Sequence, residues 1–319
     1  MDDIGRVIKL AGAREAVPAE RLERVRQNVR THWHTEVEKQ QMAGRTRRFN
    51  IYAIAAGLIL VAGATLTLWR IPNAPTTDAL ASVERVLGVV QIHEELANRN
   101  SEVGANALVR TGDDGRIALR MSGGQSLRID TSSHVILHSP NHVTLKSGAI
   151  YIDTALVENP DPILVSTPLG TAQDIGTQFQ VRVTGMMMVV GVREGLVEVS
   201  QPGQQNQSVN KGNFVELVAD GQSAQHALPA DHPGWDWIET VTPEFDIEGA
   251  TLAQYLGWYT RERGLKLAWA DALSESRAST ARLSGSIAGN SLDEGLQLVK
   301  QVAPFEHRLS GDTLWVEVK

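Results

Sequence analysis

Residues 110–130 read RTGDDGRIALRMSGGQSLRID, and this stretch decides the fold class of the larger part of the chain. Short runs of alternating apolar and polar residues are divided here by Asp114-Gly115 and Gly123-Gly124, residue pairs that favour tight turns. Because alternation with a period of two is typical of half-buried strands, the stretch predicts two consecutive strands, RIALRM and QSLRID.

The same pattern continues on both sides of this stretch, from about Glu84 to Ala219. Ser147-Gly148, Glu194-Gly195 and Lys211-Gly212 are further predicted turns. The other predicted strands are VLGVVQI, HVILHS, HVTLKSGAIYID, ILVST, QFQVRV, MMMVVGV, LVEVS and NFVELV. Short strands at this spacing predict a mainly β protein with an antiparallel β sandwich or roll over residues 84–219.

Residues 220–243 are rich in Pro, His and Trp, and we interpret them as a linker to a small α+β domain at 244–319. The predicted order is β-α-β-β-α-β-β, with strands at PEFDIEG, LKLAW, ARLSGSI, FEHRL and LWVEV. The first helix is expected to end before Gly264, the second begins with a capping box at Ser291-Glu294, and Gly311-Asp312 closes a hairpin. The predicted inward faces are Leu252, Tyr255, Leu256 and Tyr259 in the first helix and Leu292, Leu296, Val299 and Val302 in the second.

Residues 49–69 carry no charge and read FNIYAIAAGLILVAGATLTLW. As a helix this run is about 31 Å long, which matches the hydrocarbon core of a bilayer and predicts one transmembrane helix. Arg45, Arg47 and Arg48 precede the run, so we expect a cytosolic N terminus and, after a linker at 70–83, a body on the other side of the membrane. A cleaved signal peptide is disfavoured because nearly fifty residues precede the apolar run.

Residues 1–48 predict a short helical head. A helix beginning at Pro18 places an apolar seam along one face, at spacings of three and four residues. The seam consists of Leu22, Val25, Val29, Trp33 and Val37. Because so short a head buries little apolar surface by itself, the seam predicts a contact with a partner. The alternative is a helix that lies on the anionic inner surface of the membrane.

Charge and composition exclude several classes of function. The head carries about +4 and the whole chain −7, so the remainder carries about −11, which argues against direct binding of nucleic acid. The absence of cysteine excludes disulfides, Cys-ligated zinc and a thiol nucleophile. No catalytic or nucleotide-binding motif is present, and His138 and His142 flank a turn rather than lying on one helix. We therefore predict no enzyme active site, no cofactor and no metal site.

At this point the chain resembles a known family, the FecR-type anti-sigma factors of bacterial cell-surface signalling. The segments that carry the resemblance are RTGDDGRIALRMSGGQSLRID, VTLKSGAIYID, VSTPLGTAQDIGTQFQV and VREGLVEVS, in the order that this family uses. The terminal domain is similar to the short module at the start of secretins and TonB-dependent receptors, through FDIEGATLAQYL, RLSGSIAGNSLDEGLQLV and the closing hairpin. The head departs from the family pattern, since many members have a longer one.

The resemblance implies a transmembrane regulator that relays a signal from an outer-membrane TonB-dependent receptor to a cytosolic ECF sigma factor, in the control of iron or siderophore uptake. It places the span in the inner membrane and the body in the periplasm. The head's seam then becomes the expected sigma-factor contact. Leu314, Trp315, Val316 and Val318, in the last strand, become the expected receptor contact, as a sheet edge. The alternative function is an envelope scaffold, or a module that binds a glycan or a protein, with no sigma partner.

The resemblance also draws attention to the bond between Gly176 and Thr177, because some relatives cleave themselves in the stretch that corresponds to IGTQF. A threonine hydroxyl can attack the preceding carbonyl carbon, and a glycine there leaves that carbonyl accessible. The competing interpretation is that Gly176 only forms a bulge or turn that leads into a strand.

Overall fold

The computed structural model describes Glu20, Glu23 and residues 79–154, 160–229 and 232–319. The contacts discussed below all lie within Pro75–Lys319, the second of two units into which the chain divides. The predicted span at 49–69 and the five seam residues of the head lie outside the described residues and stay predictions. In the described parts of the chain, no helix combines the length and the apolar character needed to cross a bilayer.

Fifteen strands form one continuous sheet between Ala81 and Ala227, which confirms the prediction of a mainly β protein. The sheet begins inside the predicted linker at 70–83 and continues past residue 219, and the strand at 107–111 was not predicted. The strands are β1 (Ala81–Leu87), β2 (Val90–Ile92), β3 (Glu95–Leu96), β4 (Glu102–Val103), β5 (Ala107–Thr111), β6 (Arg116–Met121), β7 (Ser126–Ile129), β8 (His134–Ser139), β9 (His142–Asp153), β10 (Leu164–Thr167), β11 (Gly170–Thr184), β12 (Met187–Ser200), β13 (Gln207–Asn210), β14 (Asn213–Val218) and β15 (Ser223–Ala227).

The sheet is mixed and not purely antiparallel as predicted. β10 lies parallel to the first residues of β9, with Val165 opposite Val143, and antiparallel to β11 on its other side. The reason is the connection after Asp153, which returns the chain to the start of β9 before β10 begins, as a parallel pair requires.

Three glycines bend long strands without ending them. Gly148, Gly176 and Gly195 have φ of +91°, +67° and +80° and lie inside β9, β11 and β12. The predicted turns at Ser147-Gly148 and Glu194-Gly195 are therefore wrong, because positive φ at a glycine produces a bulge that redirects a strand. β9 illustrates the effect: up to Ser147 it pairs with β8, and from Gly148 onward it pairs with β11.

An aliphatic core lies on one face of the sheet, and its members alternate along the strands as the sequence pattern predicts. Ile117, Leu119, Leu127, Ile129 and Phe179 are among its fully enclosed side chains. The opposite face is covered as well, since all four residues of β7 are buried. Strands buried on both faces require a second layer, which the chain beyond β15 supplies.

The C-terminal module is a small α+β unit, as predicted. Its elements are α2 (Leu252–Glu262), β16 (Lys266–Trp269), α3 (Ala272–Thr280), α4 (Leu292–Val302), β17 (Phe305–Ser310) and β18 (Thr313–Val318), preceded by a 3-10 turn (Pro233–Trp235) and the short helix α1 (Asp236–Thr240). Gly264 follows α2 with φ of +64°, and Ser291 and Glu294 form the predicted capping box. The inward face of α2 is confirmed, whereas Val302 of α4 is 52% exposed, because the helix ends at this residue.

Two predicted strands of the module are wrong, and one helix was missed. PEFDIEG and ARLSGSI form no strand ladder: the backbone N–H of Gly249 donates to the carbonyl oxygen of Leu283 at 3.0 Å, and the single bridge, between Thr251 and Arg282, lies just beyond the first segment. Gly249 turns the chain there with φ of +73°. Helix α3 buries only Ser274 and Ala278, so its sequence shows no broad apolar stripe. The sequence contained one local indication of this helix, the N-cap residue Asp271, which accepts a hydrogen bond from the backbone N–H of Ser274 at 2.6 Å.

The predicted sheet edge at the last strand is also wrong. The module's sheet has the order β16-β18-β17, so β18 is the central strand and both of its sides are occupied. Leu314, Val316 and Val318 are buried, and Trp315 alone of the four expected contact residues is partly exposed. β17, the other strand of the hairpin, pairs with one side of β18, and the parallel strand β16 pairs with the other.

Candidate functional site

A row of residues crosses the sheet on the face opposite the aliphatic core. Arg128 of β7, Tyr151 of β9 and Gln180 of β11 lie opposite one another, and Gly191 of β12 extends the row. Arg128, Tyr151 and Gln180 are all buried. A row of large polar and aromatic side chains on a covered face indicates a contact surface for another part of the structure.

The segment predicted as a linker provides the first part of that cover. Leu228, Trp235 and Ile238 are buried in one cluster with Tyr151. A Cβ on Gly191 would lie 2.7 Å from Cδ2 of Leu228, so only glycine lets this leucine lie so close to the sheet. Within residues 220–243, Ser223–Ala227 form the exposed strand β15, whereas Leu228, the 3-10 turn and α1 pack against the sheet, so these parts are structured and not a linker.

A buried ion pair joins the sheet to the module. Arg128 donates from Nη2 to both carboxylate oxygens of Glu262, at 2.9 and 2.8 Å, and the two side chains are 2% and 9% exposed. Nη1 of Arg128 donates to Thr242 Oγ1 at 3.1 Å and to the carbonyl oxygen of Ile238 at 3.3 Å. Burial alone would lower the pKa of Arg128, but the charge and hydrogen bond of Glu262, together with Tyr151 and Asp153, outweigh it and raise that pKa. The guanidinium therefore stays charged inside the contact.

A second pair lies beside the first. Nε of Arg261 donates to Oδ2 of Asp153 at 2.8 Å, its Nη2 contacts Oδ1, and Gln178 Nε2 donates to Oδ2 at 3.0 Å. The planar guanidinium meets the carboxylate in the bidentate arrangement that favours arginine over lysine. Neighbouring residues of α2, Arg261 and Glu262, thus bind strand residues of opposite charge. We call the two pairs, Arg128 with Glu262 and Asp153 with Arg261, the clasp.

The sequence-predicted residues Gly176 and Thr177 lie in a second buried polar group, inside the β domain. Thr177 is fully buried, and its Oγ1 donates to Oδ2 of Asp174 at 3.3 Å. Asp174 also accepts from Thr154 Oγ1 at 2.7 Å and from the backbone N–H of Ile163 at 2.5 Å. The backbone N–H of Thr177 donates to Thr154 Oγ1 at 2.8 Å. We call Asp174, Thr154 and Thr177 the threonine cluster.

The peptide bond between Gly176 and Thr177 sits at a bulge with close neighbours. The pairing of β11 with β12 shifts between Ile175 and Gln178, and Gly176 is left-handed. A Cβ on Gly195 would lie 2.7 Å from the carbonyl oxygen of Gly176 and 2.6 Å from Cγ2 of Thr177. The structure therefore confirms that Gly176 forms a bulge within a strand. It is also compatible with chemistry at the bond, because Asp174 can accept the proton of the Thr177 hydroxyl.

The two histidines that the sequence analysis weighed as metal ligands bond to other groups. The His138 and His142 rings lie 4.8 Å apart, but their nitrogens contact Asn106, Thr144 and Ser166 at 2.9 to 3.0 Å. Over the residues that the structure covers, no group of three or more metal-ligating side chains is present.

Sequence reasoning missed the clasp and Asp174. The clasp residues lie more than one hundred positions apart, and no local motif connects them. The available signal was the density of tryptophan in the supposed linker, because tryptophan is seldom left in solvent.

Comparison with known proteins gives a family for the β domain. Residues 107–198, which run from β5 into β12, match the model of the family described as FecR protein. The expected resemblance is thereby confirmed for residues 107–198, and we call the β domain that contains them the FecR domain. The matched range includes Arg128, Asp153 and the threonine cluster, whereas Arg261 and Glu262 lie outside it.

Among solved structures, two crystal structures of a candidate anti-sigma factor from Parabacteroides distasonis ATCC 8503 are similar to the chain. Each is 13% identical with a TM-score of 0.37, and the match covers 66% of this chain and 99% or 98% of the other. No curated protein matches the sequence.

Proposed function

We propose that this chain is a membrane-anchored anti-sigma regulator, which carries a signal from an outer-membrane TonB-dependent receptor to an ECF sigma factor in the cytosol. The observation that carries the proposal is the FecR domain at residues 107–198. The predicted span at 49–69 and the basic residues before it supply the route across the inner membrane.

The clasp gives this proposal a physical means of transmission. A signal received by the C-terminal module reaches the FecR domain only if the two move together or separate in a defined way. Two ion pairs with three of the four side chains nearly enclosed define one docked arrangement, and their separation would leave charges unpaired. The module remains the proposed receptor contact. Its sheet edges are β16 and β17, each with one neighbour among the described strands, and they take the place of β18.

The sigma-factor contact is tested at the head's seam. Trp33→Ala should weaken co-purification of the sigma factor by about thirtyfold, because an indole buried in a helix-in-groove contact contributes about 2–4 kcal/mol. Trp33→Phe is the matched control, since it keeps an aromatic anchor, and the Ala variant should stay in the membrane fraction. If sigma-dependent transcription and co-purification are both unchanged in Trp33→Ala, the seam is not the contact.

The competing function, an envelope scaffold with no sigma partner, predicts a different result from one pull-down. The head used as bait in the full chain should capture a sigma factor under the main proposal and none under the scaffold reading. The topology has its own test: a reporter active only in the periplasm should work when fused after Lys319, and activity from a fusion at Gly44 would overturn the orientation.

We also propose that the Gly176-Thr177 bond cleaves itself during maturation. Oγ1 of Thr177 attacks the carbonyl carbon of Gly176, the bond from that carbon to the nitrogen of Thr177 breaks, and the hydroxyl proton passes through Asp174 to the new amine. Water then hydrolyses the resulting ester and leaves two chains. Two observations favour the step. Thr177 Oγ1 donates a hydrogen bond to Asp174, and Gly176, whose carbonyl is attacked, has a positive φ.

The test is the size of the purified full chain on a denaturing gel. Wild type should give two fragments, and Thr177→Ala should give one, because the attacking oxygen is gone. Thr177→Ser keeps a hydroxyl and should restore two fragments. An intact wild-type chain, purified without protease inhibitor, would retire the idea.

A further inference from the structure

A cleft of about 900 Å³ opens beside the clasp, between the FecR domain and the module. Its walls come from three parts of the chain: β12 and the turn before β14, the 3-10 turn with α1, and the module. Leu228, Trp235, Tyr259 and Leu265 give it an apolar and aromatic lining. Neither the clasp nor the threonine cluster uses this space.

Arg193 lies in the wall of this cleft and is 5% exposed. In the described part of the chain it makes one hydrogen bond, from Nη1 to the carbonyl oxygen of Glu262 at 3.0 Å, and no carboxylate lies within ion-pair distance. Its guanidinium lies over the ring of Trp235, 5.4 Å from the centroid, and its Nε is covered by Gly264. Glu239, in the same lining, attracts Arg193 only at longer range, so this buried guanidinium has no direct ion pair, and the cleft is the open space beside it.

The other two cationic side chains around the cleft differ from Arg193 because each has a carboxylate partner. Arg263 pairs with Glu239 at 3.3 Å and with Asp293, and Lys211 lies 3.9 Å from Asp312. Asp236 is also part of the lining, so the lining carries four carboxylates against three cations, including Arg193. The repulsion by this lining grows with the charge of an anion, so a singly charged ligand is favoured over a doubly charged phosphate at Arg193.

We propose that this cleft binds a small organic carboxylate with an apolar or aromatic body. The carboxylate accepts hydrogen bonds from Nη2 of Arg193, which has no hydrogen-bond partner among the described residues, and the opposite charges strengthen this contact. The body of the ligand lies against Leu228, Tyr259 and Leu265. Because the ligand touches both the FecR domain and the module, its binding stabilises the docked arrangement.

A pair of ligands that differ only in charge tests this site. The full chain in lipid nanodiscs is titrated by calorimetry with indole-3-acetate and with indole-3-acetamide, and empty nanodiscs correct for partitioning. The acid should bind at least about tenfold more tightly than the amide, since a hydrogen-bonded charge pair in a buried site contributes more than a neutral one. Equal affinities, or no binding of either compound, overturn the proposal.

Variants then test whether Arg193 causes the preference for the acid over the amide. Arg193→Gln should reduce the acid-to-amide preference to within about twofold, whereas Lys146→Gln, at an exposed position of β9 outside the cleft, should keep it. A preference that persists in Arg193→Gln overturns the assignment to Arg193. If that variant fails to fold, the comparison of acid and amide on the wild-type chain still decides the proposal. Inorganic phosphate that binds as tightly as the acid overturns the ligand class.

Discussion

Asp174 and Glu262 are both buried carboxylates, but the protein satisfies them in different ways. Asp174, inside the FecR domain, accepts hydrogen bonds from two threonine hydroxyls and a backbone N–H, and within the described residues it has no ion-pair partner. Glu262, at the contact with the module, is paired with Arg128, which lies 134 positions earlier. Neutral donors from nearby residues fix a local geometry, whereas opposite charges from distant segments fix how two parts of the chain dock.

This difference predicts where a mutation is most damaging. Glu262→Ala should lower the free energy of unfolding by about 3–5 kcal/mol, because it leaves the charge of Arg128 buried and uncompensated. The measurement is chemical denaturation of the full chain. Glu244→Ala, which removes an exposed partner of Arg99, is the matched control and should cost less than about 1 kcal/mol. A loss for Glu262→Ala as small as that of the control would contradict the clasp.

The two glycines at the threonine cluster should respond unequally to substitution. Gly195→Ala is expected to cost about 2–4 kcal/mol, because the new methyl group adds a clash with Gly176 and Thr177 to the strain of a positive φ. Gly176→Ala has the strain but meets nothing within 4 Å, so about 1–2 kcal/mol is expected. Thermal unfolding of both variants gives the comparison. Equal losses would show that Gly195 does not pack on the bond.

Asp174→Asn tests how much the hydrogen bonds from neutral donors to the Asp174 carboxylate stabilise the fold. The amide group of asparagine cannot accept from all the donors that now meet at Asp174, so a loss of about 1–3 kcal/mol is expected in denaturation. The same variant should also slow the formation of two fragments, because the proton acceptor is lost. Asp161→Asn, at an exposed position nine residues before β11, is the control and should change neither quantity. Unchanged stability in Asp174→Asn would show that the hydrogen bonds from the three donors do not need the negative charge of Asp174.

The sequence predicts the strands of the FecR domain well, because a period of two records which face of each strand is buried. It fails where a glycine bends a strand in place of ending it, as at Gly148 and Gly195, since both situations leave the same residue pair. Gly176 and Thr177 are indicated by the family resemblance and not by a pattern in their own segment, and cleavage at this bond stays a prediction. The sequence cannot predict the clasp, because the partners of Arg128 and Asp153 are chosen by how the module docks, and docking leaves no periodic pattern in either segment.

Asp293 is a third type of carboxylate, largely exposed, and should show the smallest effect. Partial burial raises its pKa, but the hydrogen bond and charge of Arg263 and the hydrogen bond from Tyr259 outweigh that and lower it. A carboxylate with a lowered pKa stabilises the fold above its ordinary pKa of about 4, and this contribution is lost as the pH falls through the lowered value. Asp293→Asn should therefore lower the free energy of unfolding by a few tenths of a kcal/mol at pH 7, and this difference should shrink toward zero below about pH 3. Thermal unfolding of both proteins between pH 7 and pH 3 measures it, with Asp161→Asn as the variant that shows no difference at any pH. A difference that grows as the pH falls would mean that Asp293 is held in its neutral form and is not paired with Arg263.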